Sequence, residues 1–342
     1  MEVALSTDSL SSRDLPLEIL ETAYQVFDKS PLWALHHLPE NFLSPLENKQ
    51  VFSSFLSRRF STRESFFKND FLIPGASQSI FIPCKYKGVF NVGVGLSHGI
   101  KRCQESRQIT YFLDLYPLQK GEILRQKIFR SYLKNYFLKN LKQCDEIWIP
   151  HSNFYPEIFS SLENVRVVFP PMDLSEFKIL PEGIFKQEKI GIVARGLRQS
   201  EVLSLIRSKI SNKIFFLGDD SHLEKIKKEF PHFFKGGNCA GELLPLFSSS
   251  QYVVDFTQDF FPRYAVAAKA CGRAVVSSGY ERKSPFLGRY GVSYVENFEA
   301  LLKILHSENR WFEMIDSKKV AESVKKFHPS SFKKKIQKAF LN

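Results

Sequence analysis

The chain has 342 residues, of which 43% are hydrophobic and 25% charged, and its net charge at pH 7 is +12. At this length we expect two domains of roughly 150 to 180 residues, each with its own core. No apolar run approaches the ~20 residues of a membrane-spanning helix, so we expect a chain that does not cross a membrane. The positive charge favours an anionic partner, and nucleic acid, an anionic bilayer and nucleotide-linked substrates all meet that requirement.

The amino-terminal stretch MEVALSTDSL is typical of a first strand and lacks the basic start and apolar run of a secretory signal. The cysteines number five and are scattered, without a CxxC pair or a histidine at metal-ligand spacing. They are Cys84, Cys103, Cys144, Cys239 and Cys271. We therefore expect free, buried thiols, no disulfide framework and no zinc site, in a reducing, cytoplasmic setting.

Short apolar runs alternate with helical patterns through both halves of the chain. The first half contains VFNVGVGL, RQITYFLDL, DEIWIP and VRVVFPP, and the second contains KIGIVAR, KIFFLGDD, YVVDFT and RAVVSS. Strands separated by helices predict βαβ units and parallel sheets. We predict two doubly wound α/β domains, residues 1–172 and 189–317, with a linker at 173–188. Basic terminal helices follow at 318–342, and one possible arrangement has them packing back on the N-terminal domain.

A single carboxylate, Asp114, follows the apolar run ITYFL. Ligands of open α/β sheets bind outside the carboxyl ends of the strands, so a polar side chain at this point is a candidate site residue. The alternative interpretation is a turn or helix cap that accepts hydrogen bonds from backbone N–H groups. Position alone supports both interpretations equally.

Strand ends in the second half carry candidate anion-binding groups. Arg195 and Arg198 flank a turn before a helix, and guanidinium groups beside a helix N terminus form a pyrophosphate site; two solvated surface charges are the alternative. Gly218 permits close backbone approach after KIFFLG. Gln258 and Asp259 follow YVVDFT, ahead of an alanine-rich helix. GxGxxG and GxxxxGKS sequences are absent, which argues against a dinucleotide cofactor and a P-loop ATPase.

The succession of segments resembles the family 4 glycosyltransferases of the GT-B architecture, in which two Rossmann-like domains face each other across a cleft. CDEIWIPHSNF followed by VRVVFPPMDLSEF is the most specific match, and KIGIVAR, FLGDD and QDFFPRYAVAAKACGRAVVSSG follow in the order of the family's donor-binding half. In NVGVGLSHGIKR, Ser97, His98 and Lys101 fall on family-like positions, as candidate acceptor or cleft residues. The resemblance also adds Gly272 to the donor-binding residues.

The chain departs from the family in its first half. Leu15 and Pro16 stand where the family has a glycine pair that approaches the donor phosphates, so this loop cannot approach a phosphate in the same way. Leu113 replaces a histidine that contacts the transferred sugar in the family. Asp114 is then the carboxylate of a modified sugar site.

Further departures lie in the second half. The family's paired glutamates correspond to Asp259 and Ala267 when the helix is aligned on Gly272, whereas alignment on QDF places Gln258 at the first position. The second glutamate, which holds the ribose hydroxyls in the family, is absent in either alignment. The cations on the donor diphosphate are represented by Arg195 and Arg198.

The resemblance implies a retaining, metal-independent glycosyltransferase. It would move a sugar from a nucleotide-diphosphate donor to a cell-envelope polysaccharide or glycolipid, with no cofactor besides that donor. Asp114 and Asp259 would be the catalytic residues, and the arginines would stabilise the departing diphosphate. The substituted positions support an alternative: a degenerate GT-B relative that binds a nucleotide sugar or a partner protein without transfer.

Residues 122–143 combine apolar residues at helical spacing with a basic face. The residues of this basic face that are candidates to contact a membrane are Arg125, Lys127, Arg130 and Lys134. Such a helix binds an anionic membrane surface and suits a lipid-linked acceptor, or it covers a core. Residues 51–71 interleave phenylalanines with basic residues and offer a docking edge, but without a nucleic-acid-binding motif we expect no nucleic acid partner. The expected location is the cytoplasm, with peripheral attachment to the inner membrane face as an extension of that expectation.

Overall fold

The structure is a computed structural model. It describes residues 1–10, 15–39, 46, 49–116, 124–181, 189–218, 221–236, 240–257, 261–307 and 311–341, without the side chains of 124–130, 221 and 282. The chain forms two compact units. Unit 1 comprises Met1–Pro171 together with Pro329–Asn342, and unit 2 comprises Met172–His328.

Unit 1 is built on parallel strands. They are β1 (Val3–Leu10), β2 (Leu32–His37), β3 (Val51–Ser53), β4 (Phe81–Ile82), β5 (Gly88–Gly93), β6 (Lys101–Arg102), β7 (Arg107–Phe112), β8 (Glu146–Ile149) and β9 (Val165–Val167). A seven-stranded sheet has the order β3-β2-β1-β5-β7-β8-β9, and its described pairs are all parallel. The strand order reverses between β1 and β5, the position at which such sheets bind ligands.

Helices cover both faces of this sheet, which is why its central strands read as continuous buried runs. The helices that connect its strands are α1 (Leu15–Tyr24), α2 (Leu56–Arg59), α3 (Arg63–Lys68), α4 (Ile73–Gln78), α5 (Leu124–Leu141) and α6 (Pro156–Phe159). Leu17, Ile19 and Leu20 of α1 are buried against β1 and β5. Leu15 and Pro16, which stand in place of the family's glycine pair, form the start of α1. Proline is favoured in the first turn of a helix, because the N–H that it lacks would have no hydrogen-bond partner there.

Strands β4 and β6 form a separate two-stranded sheet that a disulfide joins. Cys84 and Cys103 are bonded, with their Cα atoms 5.0 Å apart. The expectation of free, buried thiols is therefore wrong for this pair, because the chain returns to within bonding distance across 19 residues. Cys144 and Cys271 are free and buried, as expected. Cys239 lies outside the described residues.

Unit 2 repeats the parallel plan. Its strands are β10 (Lys189–Val193), β11 (Ile214–Leu217), β12 (Phe234–Lys235), β13 (Ser250–Asp255), β14 (Ala274–Ser277) and β15 (Val292–Tyr294). The six-stranded sheet has the order β12-β11-β10-β13-β14-β15. Its helices are α7 (Gln199–Ile206), α8 (Glu224–Glu229), α9 (Ala240–Ser248), α10 (Arg263–Ala270), α11 (Tyr280–Leu287), α12 (Phe298–His306) and α13 (Ser317–Glu322). The order reverses between β10 and β13, so ligands are expected at the loops that follow these strands.

Helix α10 packs closely on unit 2 through small residues. Ala265, Ala267 and Ala268 are fully or almost fully buried, which supports the interpretation of this alanine-rich run as a packing helix. Lys269 is buried on the same helix, and its ammonium donates to the carbonyls of Leu287 and Tyr290. Burial, with a smaller contribution from Lys326, lowers the pKa of Lys269 to about 8.

The last helix, α14 (Pro329–Leu341), belongs to unit 1. Phe332 lies 5.9 Å, ring to ring, from Tyr111, and Phe340 lies 6.3 Å from Phe90. A Cβ on Gly88 would stand 2.8 Å from the Phe340 ring, so only glycine lets the helix approach this closely. The terminal helix thus completes the core of unit 1.

Candidate functional site

The loops after β10 and β13 are in direct backbone contact at the carboxyl edge of the unit 2 sheet. Gly196 has φ +100°, and a Cβ there would lie 2.3 Å from the carbonyl oxygen of Phe256. Both the left-handed backbone and the close approach require glycine. Arg195, the neighbour of Gly196, is exposed in the same loop.

The loop after β11 joins the same edge. Gly218 has φ +87°, and a Cβ there would be 3.2 Å from the hydroxyl of Tyr264 on α10. The His222 ring nitrogen Nε2 lies 3.0 Å from the Leu197 carbonyl, and Gln199 donates to the carbonyl of His222. Loops from three strands and the start of α10 are therefore gathered at one edge, as the predicted roles of Arg195 and Gly218 require.

Arg198 is bound to its own helix. Its guanidinium Nη2 lies 2.7 Å from Glu201 Oε1, and its backbone N–H donates to Glu201 Oε2 at 2.7 Å. Hydrogen bonding to Glu201 raises the pKa of Arg198 further above its ordinary value. A diphosphate would have to compete with Glu201 for this cation. The acid three residues after Arg198 is the sequence signal of this cap.

Polar side chains are buried where β13 and β14 end. Asp255 Oδ1 accepts hydrogen bonds from the N–H and the hydroxyl of Thr257, at 2.9 and 2.7 Å. The Lys283 ammonium lies 3.0 Å from the Asp255 carbonyl oxygen and 3.4 Å from Oδ1. Within the described part of the chain, Asp255 Oδ2 and the Ser278 hydroxyl are buried without a hydrogen-bond partner. Such atoms cost about 1–3 kcal/mol each, which marks this cluster as a candidate functional feature.

The remaining second-half predictions have different outcomes. Gln258 and Asp259 lie outside the described residues. Gly272, with φ +74°, ends α10 near the start of β14, and a Cβ there would lie 2.8 Å from Ser317 Cβ. It therefore lies at the amino-terminal edge of the sheet, opposite the ligand edge. The donor-binding role predicted for Gly272 is corrected to that of a helix terminator in a tight contact.

Asp114 lies at the carboxyl edge of unit 1 and links two strand ends. Its Oδ1 accepts hydrogen bonds from the Tyr155 hydroxyl at 2.8 Å and from the Leu115 N–H at 2.7 Å. Tyr155 follows β8 and has φ 43°, the left-handed region that non-glycine residues rarely adopt outside functional or constrained sites. Burial, and then the hydrogen bond to Asp114, raise the pKa of Tyr155.

The contacts of Asp114 support the cap interpretation and leave its role as a site residue a prediction. Asp114 accepts a backbone N–H, as a cap does, and it remains partly exposed at a strand end. Leu113 beside it is buried in the core of unit 1. The sequence analysis missed Tyr155 as the partner of Asp114, because this contact spans 41 residues.

A second carboxylate, Asp8, holds the loop after β5. It accepts hydrogen bonds from the N–H groups of Val94, Leu96 and Ser97. Burial raises the pKa of Asp8, and these donors oppose that effect. The Ser97 hydroxyl accepts from Asn91 at 2.8 Å. Ser97 is therefore a buried part of this loop and is not exposed to an acceptor.

His98 is also buried. Its Nε2 lies 3.1 Å from the Phe137 carbonyl, and the rings of Phe112, Tyr136 and Phe137 surround it. Burial lowers the pKa of His98 to about 4, so the ring is neutral at pH 7. Of the three predicted acceptor residues, only Lys101 is exposed.

The basic helix contributes to the core of unit 1. Leu133 and Phe137 of α5 are fully buried, whereas Lys134 is exposed. This burial supports the interpretation of α5 as a helix that covers a core. The side chains of Arg125, Lys127 and Arg130 lie outside the description. Among the described helices, none is long and apolar enough to cross a membrane.

No protein-family model and no curated protein matches the sequence. Solved structures do match. A sucrose-phosphate synthase from Thermosynechococcus elongatus is similar over 100% of this chain and 98% of its own, with a TM-score of 0.67 and 13% identity. Anabaena HepE in complex with UDP matches over 100% of both chains, with a TM-score of 0.64 and 11% identity. A glycosyltransferase from Rickettsia africae is similar over 100% of this chain and 99% of its own, with a TM-score of 0.60 and 14% identity.

These structural neighbours are GT-B glycosyltransferases. At identities this low the similarity establishes the fold alone. The predicted α/β fold of the GT-B type, with two Rossmann-like parallel sheets, is confirmed.

Proposed function

We propose that the protein is a glycosyltransferase that binds a nucleotide-diphosphate sugar at the carboxyl edge of unit 2. The observation that carries this proposal is the convergence of the loops after β10, β11 and β13, which Gly196 and Gly218 bring together beside Arg195. Cations and helix N termini at a strand-end edge are suited to phosphate groups. HepE, which shares this fold, was crystallised with UDP and with UDP and glucose.

The chemistry follows from where charge develops. Cleavage of the donor leaves a negative charge on the diphosphate, and a fixed guanidinium stabilises that charge more in the transition state than in the ground state. Arg195 is the residue proposed for this role. Three further parts of the proposal come from the family resemblance. They are retention of the anomeric configuration, independence of metal and a role for Asp259.

The acceptor is proposed to be a hydroxyl of a cell-envelope polysaccharide or glycolipid, with Asp114 as the carboxylate on unit 1. The hydrogen bond from Tyr155 fixes one oxygen of Asp114 and thereby its orientation. Attachment of α5 to an anionic membrane surface would rely mainly on its basic residues, because Leu133, Phe137 and Leu141 are buried within unit 1.

Thermal unfolding with UDP-, GDP-, ADP- and CMP-sugars tests the donor site. A ligand at ~100 times its Kd adds about 2.7 kcal/mol to the free energy of unfolding, a shift that is readily measured. We expect one nucleotide class to raise the Tm. Arg195→Ala should remove most of that shift, whereas Arg207→Ala, an exposed arginine at the end of α7, should retain it.

The alternative is a degenerate relative that binds without transfer. Leu113 and Ala267 favour it, since both are buried apolar residues where the resemblance expects polar groups. A Tm shift without sugar transfer or donor hydrolysis would support this alternative. No shift with any of the nucleotide sugars, or an equal loss in both arginine variants, would contradict the donor site itself.

A further inference from the structure

A surface cavity of about 740 Å³ lies on unit 1. Its walls are α4, the segment from Gly99 to Gln104 and the second half of α5. It runs from the loop after β5 to Gln143, just before β8, and so extends toward the amino-terminal edge of the sheet. Neither Asp114 nor Tyr155 lines it. The cavity is therefore separate from Asp114 and Tyr155, although it includes Lys101, the exposed residue of the predicted acceptor set.

The lining of this cavity suits sugar hydroxyl groups. Amide side chains contribute from all three walls: Gln78, Gln104, Asn135 and Gln143. An amide presents donors beside an acceptor and so can bind adjacent hydroxyls of a sugar ring. Tyr132 adds an aromatic ring that is 53% exposed, and such a ring offers an apolar face to the C–H groups of a sugar while its hydroxyl stays polar.

The charge in the cavity is positive. Lys101 and Lys139 line it from different walls, and neither makes an ion pair or side-chain hydrogen bond with another described residue. Arg102 is instead used structurally, donating to the carbonyls of Ser106 and Gln143 at 3.2 and 2.7 Å. No acidic side chain is among the described residues of the lining. The two lysines can therefore both serve an anionic ligand.

The walls are fixed, and one side is open. Tyr136 donates to the Leu96 carbonyl at 2.8 Å, and the disulfide at Cys103 anchors the segment next to Gln104. A Cβ on Gly75, by contrast, would meet no atom within 4 Å. Gly75 thus faces free space at the cavity and can be replaced by a large residue without a backbone clash.

We propose that this cavity is a non-catalytic binding site for an anionic saccharide. Lys101 and Lys139 bind a phosphate or carboxylate of the glycan, the amides bind its hydroxyls and Tyr132 packs on a sugar ring. Charge-assisted contacts to the anion are the strongest of these interactions. The site goes beyond the proposed transfer reaction, because it needs neither the donor nor Asp114.

Calorimetric titration of the full chain tests this site. The probes are phosphomannopentaose and tetragalacturonic acid, which carry phosphate and carboxylate groups respectively; maltopentaose and inorganic phosphate are the references. We expect at least one acidic saccharide to bind at least tenfold more tightly than either reference. The double variant Lys101→Gln, Lys139→Gln should weaken that binding at least tenfold, and Gly75→Phe should block it.

The matched control is Lys29→Gln, Lys142→Gln, which removes the same charge from exposed positions of unit 1 outside the lining. It should leave the affinity within twofold of the wild type. A saturating nucleotide sugar should also leave it unchanged, which separates this site from the donor site. Failure of both acidic saccharides to bind, equal binding of either reference, or an equal loss in the control variant would overturn the proposal.

Discussion

The two units share a parallel-sheet plan but differ at their strand-end edges. In unit 1 the described edge carries the carboxylates Asp8 and Asp114, which accept hydrogen bonds from loop N–H groups. In unit 2 the corresponding edge also carries a carboxylate, Asp255, but the Lys283 ammonium lies 3.4 Å from it, and Arg195 is exposed beside the close contact at Gly196. Carboxylates disfavour a phosphate at the unit 1 edge, whereas the cations Lys283 and Arg195 favour one at the unit 2 edge. The comparison explains why the donor is assigned to unit 2.

Replacing Gly196 by alanine should have the largest effect. The left-handed backbone alone costs a non-glycine residue about 1–3 kcal/mol, and the Cβ would overlap the Phe256 carbonyl, at 2.3 Å. We expect a loss of about 3 kcal/mol or more in the free energy of unfolding, with loss of the nucleotide-induced Tm shift, both measured by thermal unfolding.

Gly241→Ala is the control for that experiment. A Cβ on Gly241 would meet nothing within 4 Å, and the residue lies in α9. Alanine there should be neutral or stabilise by about 0.4–1 kcal/mol. A Gly196→Ala protein as stable as this control would show that backbone contact does not hold the unit 2 loops together.

The buried histidine beside the Asp8 loop should give unit 1 an acid-sensitive stability. The pKa of His98 is lowered from 6.5 to about 4 by burial, so the folded state favours the neutral ring. The stabilisation is complete above pH 6.5 and is lost as the pH falls toward 4, by about 3 kcal/mol in total. His98→Gln, which keeps a donor for Phe137, should lose about 3 kcal/mol less over this range in urea unfolding.

His232→Gln, at an exposed position of unit 2, is the matched control and should follow the wild-type curve. Because burial also lowers the pKa values of His36, His37 and His151, the informative quantity is the difference between wild type and variant. A His98→Gln curve parallel to that of the wild type would argue that His98 is accessible to solvent, and would restore it as a candidate for acceptor binding.

Tyr155→Phe should have the smallest effect on stability. It removes one hydrogen bond to a partly exposed carboxylate, so we expect a loss of about 1 kcal/mol at pH 7. Because the pKa of Tyr155 is raised in the folded state, its contribution is complete below pH 10 and declines as the pH rises further. The difference between wild type and variant in urea unfolding should therefore shrink above pH 10.

Activity provides the second readout for Tyr155→Phe. If Asp114 orients an acceptor, loss of the hydrogen bond from Tyr155 should raise the KM for acceptor more than it lowers kcat. Equal stability and equal kinetics in wild type and variant would mean that the hydrogen bond from Tyr155 does not position Asp114.

Much of the fold was predictable because local signals agree with it. The apolar parts of RQITYFLDL and KIFFLGDD became β7 and β11, and the alanine-rich helix packed as expected. Parallel sheets bury such runs on both faces, so the pattern depends little on distant residues. The loops that carry Arg195 and Gly218 were predictable for the same reason, since both directly follow apolar strands.

The rest depends on contacts between distant residues. Lys283 reaches Asp255 across 28 residues, and Cys84 reaches Cys103 across 19. Strand order and the path of the loops decide which of these residues meet. No local sequence pattern therefore predicts either pair. Gly272 was assigned to the wrong edge for a related reason: a glycine after a helix serves equally well to end that helix or to admit a ligand.

The disulfide between Cys84 and Cys103 closes a covalent ring around a central element of unit 1. The ring includes all of β5 and the loop that Asp8 holds. With the disulfide closed, this segment gains less conformational entropy when it separates from the sheet. Local unfolding is therefore less favourable than for a segment of the same length without the disulfide. Amide hydrogens of β5 should then exchange faster after reduction of this disulfide, which hydrogen exchange of the oxidised and reduced protein would measure.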